Sequence, residues 1–219
     1  MRLSTINSAK NLSKADALIL DIIKADDVST LEEAVKAKEG PIAGARLKTS
    51  SAGTVKKALN SGCDFLVFAP DAPVSLTRDD QIGKVIEMES GFSDILLRTA
   101  GDLPVDAVIA VEKEAGEILT IKRLMDLQRM IYLVKPPLLV KVPLSFSVEE
   151  LQVLCDMGIK GVLVEVEEVK TAEKLADLRK AIESLKKPSP RKKDKMCPTV
   201  PSLKAEAAPV QEEEEEEEE

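Results

Sequence analysis

The stretch KPPLLVKVPLSFSVEEL, Lys135 to Leu151, decides how this chain is read. Two prolines close off whatever precedes them, and Leu138, Leu139 and Val140 then open an apolar run of strand type. Six residues past Lys141, Ser147 stands as a helix N-cap with Glu150 three positions on, the spacing of a capping box. A strand that turns into a helix over so few residues is one half of a repeating strand–helix unit. Lys141 interrupts the apolar run, and alternation settles where it points. Leu138, Val140 and Val142 share one face that is wholly apolar and suited to packing under helices, so Leu139 and Lys141 face the other way.

Working outward, the same unit recurs. Strand-like runs occur at ALILDII (17–23), IAGARL (42–47), DFLVFA (64–69), KVIEMES (84–90), DAVIAVE (106–112), LLVKVPL (138–144) and VLVEVE (162–167). Helical patterns lie between most of them, and TAEKLADLRKAIESLKK follows the last. Ser29 is expected as a further N-cap, and Gly40, Gly62 and Gly158 as helix ends. The connection PDAPVSLTRDDQIG (70–83) has room for only a short helix. ALNSGCDFLVFAP and LCDMGIKGVLVEV read as two copies of one helix–Gly–strand device. Strict alternation predicts parallel strands joined by right-handed crossovers.

Composition removes several kinds of chemistry. The 219 residues include no histidine, which excludes a Ser-His-Asp triad, a Cys-His pair and an imidazole metal site. Three scattered cysteines, Cys63, Cys155 and Cys197, suit a reducing compartment and no disulfide framework. No apolar run approaches the roughly 20 residues needed to cross a bilayer, and the N-terminus lacks a leader pattern, so a cytoplasmic protein with no membrane contact is expected. The eight glutamates at 212–219 account for the entire net charge of −8. Residues 186–195 carry six basic side chains and one acid, which leaves 1–185 acidic overall and argues against a nucleic-acid surface. From residue 186 onward proline and charge replace apolar runs. The chain is therefore divided into a folded part, 1–185, and a tail, 186–219, of disordered type.

The parity test applied to Lys141 places further charges on the face away from the helices. Glu165 and Glu167 oppose Val162, Val164 and Val166; Glu87 and Glu89 oppose Ile86 and Met88; Arg46 and Lys48 oppose Ala43, Ala45 and Leu47. The run at 106–112 is assigned likewise, with Ala107, Ile109 and Val111 toward the helices and Glu112 on the inner face. Most of these charges come late in their strands.

At this point the chain resembles the (β/α)-barrel (TIM-barrel) superfamily, in particular its aldolase-type members, over residues 17–185. The resemblance implies a parallel α/β barrel with the charges gathered at the C-terminal rim, where barrel active sites assemble. Seven units are recognisable. Either residues 2–6 (RLSTI) supply an eighth strand or the barrel is incomplete. The VKVP at 140–143 resembles the lysine strand of transaldolase-like class I aldolases, and KTS at 48–50 is similar to a strand end of deoxyribose-phosphate aldolase. The resemblance implies Lys141 as the amine that condenses with a small oxo-compound, with Glu87 or Glu165 moving protons. Arg46, Lys48 and Glu112 would then hold substrate. Such a lysine must sit desolvated in apolar surroundings to be free as an amine. No cofactor or metal is called for.

Two functions remain open from sequence. One is a Schiff-base lyase of this kind. The other is a barrel-like scaffold or degenerate enzyme in which the same charges neutralise one another as ion pairs. The phosphate-binding glycines usual after the last two barrel strands are absent from PLSFS and EVEEVKTAE; TSSAG (49–53), at a helix start, is the candidate substitute, and it reads first as an ordinary N-cap. An incomplete barrel would leave strand edges that favour a homo-oligomer.

Overall fold

A computed structural model describes residues 15–24, 26–36, 42–48, 51–78, 81–112, 116–165 and 171–186. The expected strand at 2–6, Gly40, Glu167 and most of the tail lie outside the described residues. Seven strands follow one another in space as in sequence: β1 (Ala17–Ile22), β2 (Ile42–Leu47), β3 (Phe65–Phe68), β4 (Gly83–Glu89), β5 (Ala107–Val111), β6 (Leu138–Lys141) and β7 (Gly161–Leu163). Every neighbouring pair is parallel. Among the described residues β1 and β7 do not pair, and the sheet is an incomplete (β/α) barrel.

The helices are α1 (Asp27–Lys36), α2 (Ala52–Leu59), α3 (Asp94–Ala100), α4 (Ile121–Leu133), α5 (Val148–Met157) and α6 (Thr171–Glu183). Between β3 and β4 the described residues hold a single 3₁₀ turn, Val74–Thr77, in line with the short helix expected for the 70–83 connection. The capping box forms: the Ser147 hydroxyl accepts from the Glu150 N–H at 3.3 Å while the Ser147 N–H donates to the Glu150 carboxylate at 2.9 Å. Ser29 does not cap. The helix starts two residues earlier, at Asp27, whose carboxylate accepts from the N–H groups of Ile23 and Lys24, and Ser29 instead donates to the Asp26 carbonyl. Helix α5 ends at Gly158, whose φ of 106° is left-handed, with Ile159 donating back to the Leu154 carbonyl.

Two aspartates repeat one device at strand starts. Asp64 and Ala43 exchange bonds, the Asp64 carboxylate accepting from the Ala43 N–H at 2.8 Å and the Asp64 N–H donating to the Ala43 carbonyl. Asp106 and Lys84 do the same two units later, at 2.7 Å. Each carboxylate satisfies a strand-end donor that parallel pairing would leave exposed.

Apolar side chains separate into two layers. The larger lies between sheet and helices and contains Ile86, Met88, Leu138, Val140 and Val142, the face assigned from alternation. The smaller lines the concave side, where Val67, Val85 and Ile109 are buried with Ile19, Phe65, Leu139 and Leu163 packed on them. The Phe65 ring lies over Gly44, so close that a Cβ there would sit 2.3 Å from ring carbons. The bottom of the concave face is therefore filled by an aromatic ring where β2 has no side chain.

Strand β5 is turned over relative to expectation. Val108 and Ala110 belong to the helix-side core, and Ala107, Ile109 and Val111 to the concave layer. All five residues are small or apolar, so alternation carried no signal. Its orientation had been inferred from Glu112, which lies one residue past the strand end.

Candidate functional site

Charges gather near the C-terminal ends of β1, β2, β4, β6 and β7, on the side where barrel sites form. They fall into two groups. In the first, Asp21 of β1 receives both cations of the neighbouring strand: Lys48 Nζ lies 2.7 Å from Asp21 Oδ2, and Arg46 Nη1 3.5 Å from Oδ1. Arg46 then reaches across β3, above the fully buried Val67, to Glu87 on β4, its Nε 3.0 Å from Glu87 Oε1. That oxygen lies off the N–H direction, so the contact is a Coulombic pair without a formed hydrogen bond. Asp21 was not among the sequence-predicted residues. Its position opposite Arg46 in the β1–β2 register is the signal that finds it, once strand pairing is known.

The second group is Lys141, the last residue of β6, with Glu165, two residues past the end of β7, Nζ to Oε1 2.6 Å. Lys141 faces the concavity, as alternation required. It is not desolvated: its side chain is 44 % exposed and that of Glu165 55 %. Leu139 and Leu163, its neighbours on the concave layer, are themselves only partly buried. Glu87 stands level with Ile109 and Leu139, so Lys141 is two strands across and two residues up. That puts the two Cα atoms about 12 Å apart, on one face but out of direct contact.

Glu112, expected on the inner face, is on the outer one. It pairs with Arg123 of α4, Nε to Oε2 2.7 Å, with side chains 10 % and 6 % exposed. Arg123 also donates from Nη2 to the Lys141 carbonyl at 2.6 Å and stacks on Phe146, 5.4 Å from guanidinium carbon to ring centroid. Burial pushes the Glu112 carboxyl above its ordinary range, against the pull of Arg123. Among the described residues Glu112 Oε1, Arg123 Nη1 and Arg123 Nε are buried without a formed hydrogen bond, so the Nε contact to Glu112 is, like that of Arg46, a Coulombic pair. The pair ties the ends of β5 and β6 to α4 and cannot hold a substrate in the concavity. Arg123 was passed over in the sequence because a basic residue early in a helix reads as solvent-facing.

The chemistry available on the concave face is that of paired charges. Among the described residues no three His, Cys, Asp or Glu side chains come together as metal ligands. None of the helices described is long and apolar enough to cross a membrane. A hollow of about 340 Å³ lies away from these charges, between the β6–α5 connection and α6, bordered by Phe146, Lys174 and Asp177.

Known proteins place this geometry. No family model matches the chain, and no curated protein matches it in sequence. Solved structures do. A mutant tryptophan synthase alpha subunit from the hyperthermophile Pyrococcus furiosus aligns with a TM-score of 0.62 at 19 % identity, covering 82 % of this chain and 90 % of the other. The tryptophan synthase alpha chain from Legionella pneumophila subsp. pneumophila aligns with a TM-score of 0.61 at 13 % identity, covering 81 % and 85 %. The chain has a TIM-barrel-like fold, incomplete among the described residues. At these identities the likeness carries the barrel architecture and not the neighbours' activity.

Proposed function

We propose that this chain is a barrel-derived scaffold, a degenerate enzyme whose inner charges hold strands together instead of acting on a substrate. The observation that carries this reading is the engagement of every cation predicted to act. Lys141 is bonded to Glu165, Lys48 to Asp21, and Arg46 lies between Asp21 and Glu87. A Schiff-base lysine has to offer a neutral amine from an apolar wall. Lys141 offers an ammonium half open to water and seated on a carboxylate. The filled floor of the concavity, with Phe65 over Gly44, supports the same conclusion.

The competing reading is the class I aldolase-like lyase, and the two part on one experiment. The full chain is incubated with a panel of small aldehydes and ketones plus borohydride, and reduced adducts are mapped by mass spectrometry. The scaffold reading expects adducts spread thinly over exposed lysines, with no preference for Lys141. A selective adduct at Lys141 that disappears in Lys141→Met would overturn it in favour of the lyase.

A further inference from the structure

Helix α4 turns an apolar line outward. Leu127, Met130 and Arg123 face the core, and directly opposite them lie Ile121, Met125 and Tyr132, with Ile118 just before the helix. These four are between 66 % and 73 % exposed, whereas single exposed apolar residues are unremarkable only when scattered. Positions 121, 125, 128 and 132 are spaced four, three and four apart, the spacing of a seam between packed helices, with Gln128 its one polar member.

We propose that this face binds the same face of a second copy, α4 against α4 in antiparallel orientation about a two-fold axis near Asp126. Charge favours this occupant. Helix α4 has no acid in its first turn and no base in its last, while Lys122 sits at its N-terminal end, the wrong sign for its own dipole. In the antiparallel pair each Lys122 lies beside the C-terminal turn of the partner helix, where a cation is stabilising. The same alignment sets Ile121 against Tyr132 and brings exposed Glu117 toward Lys135, which Asp102 of its own chain already engages. Area agrees. At roughly 150 Å² exposed apiece the four apolar residues offer about 600 Å², and a polar rim in the usual proportion takes each face to on the order of 1,000 Å², enough for a stable dimer. The interface is remote from the concave charges, so it stands whether or not those prove catalytic.

Sedimentation velocity of the full chain from about 1 to 200 µM tests this. The expected result is a reversible dimer, weakened at least 100-fold in Met125→Glu and in Ile121→Glu, and several-fold in Lys122→Glu. Circular dichroism, and melting at a concentration where wild type is monomeric, should be nearly unchanged in all three, since the side chains replaced are exposed. A chain that stays monomeric across the range overturns the proposal. So does association that Met125→Glu and Ile121→Glu leave intact, which would assign it to another surface such as the edge of β1 or β7.

Discussion

Replacing Arg123 by methionine should destabilise the protein by an amount that depends on pH, and the structure fixes how. The substitution keeps the aliphatic length of the side chain but removes three contacts: the ion pair to Glu112, the bond to the Lys141 carbonyl and the stack on Phe146. Losing one partner of a buried pair costs roughly 3–5 kcal/mol. The carboxylate left behind has an escape, because it can bind a proton. Starting from an unfolded value near 4.3, protonating Glu112 at pH 7 costs about 3.7 kcal/mol, and each unit of lower pH removes about 1.4 kcal/mol of that. Glu112 is already raised by burial, and without Arg123 it rises further. A carboxyl raised in the folded state contributes stability that is whole below the unfolded value and is lost as pH climbs toward the folded one. The variant's deficit is therefore largest near neutrality and shrinks as pH falls toward the unfolded carboxylate value, by the amount that losing Arg123 raises Glu112 beyond its wild-type position. Urea unfolding of wild type and Arg123→Met at several pH values measures it. In the double variant Glu112→Gln, Arg123→Met the pH dependence should vanish. A deficit below about 1 kcal/mol, or one that is flat with pH, would refute the assignment of this pair as buried and mutually dependent.

Gly44→Ala should cost about 1–3 kcal/mol, because the new methyl group meets the Phe65 ring, and Phe65→Leu in the same chain should recover part of it in thermal melts. Asp106→Ala should cost about 1–3 kcal/mol by stranding the Lys84 N–H, and Asp106→Asn, which keeps an acceptor, clearly less; equal losses would count against the strand-end role. Ser147→Ala should remove about 1 kcal/mol through the lost cap of α5, read from denaturant midpoints. Deleting 196–219 should leave the melting temperature unchanged, since no apolar face there can join the core.

How well each strand could be read follows from its chemistry. Strand β6 was legible because one charge in an apolar run has only one parity that avoids burying it under helices, and the structure puts Leu138 and Val140 in the core accordingly. Strands β2 and β4 were legible for the same reason. Strand β5, Ala-Val-Ile-Ala-Val, is apolar on both faces because a central strand of a parallel sheet is covered on both sides, by helices and by the concave layer. Its parity is invisible to alternation. Glu112 does keep the parity of Val108 and Ala110; the inference failed because its charge was assigned to the concavity, whereas it is buried on the helix side against Arg123.

The site was legible as a set of charges on one side of a sheet, but not as a set of partners. Pairing depends on which residues stand level across strands, and register is a property of hydrogen bonding between chains of residues far apart in sequence. Asp21 illustrates the difference. In sequence it is one acid in ALILDII; in register it is opposite Arg46 and becomes the hub that holds two cations. The same holds for Lys141, whose apolar neighbours in sequence suggested a desolvated amine. Those neighbours on its own side, Leu139 and Pro143, are only partly buried, and they leave the lysine to water and Glu165. Desolvation of a strand residue comes from the residues across from it, at positions of the same parity on adjoining strands. On an incomplete barrel, where the described β7 ends at Leu163 and no further strand is paired to it, that neighbourhood is thin on the side where Lys141 stands.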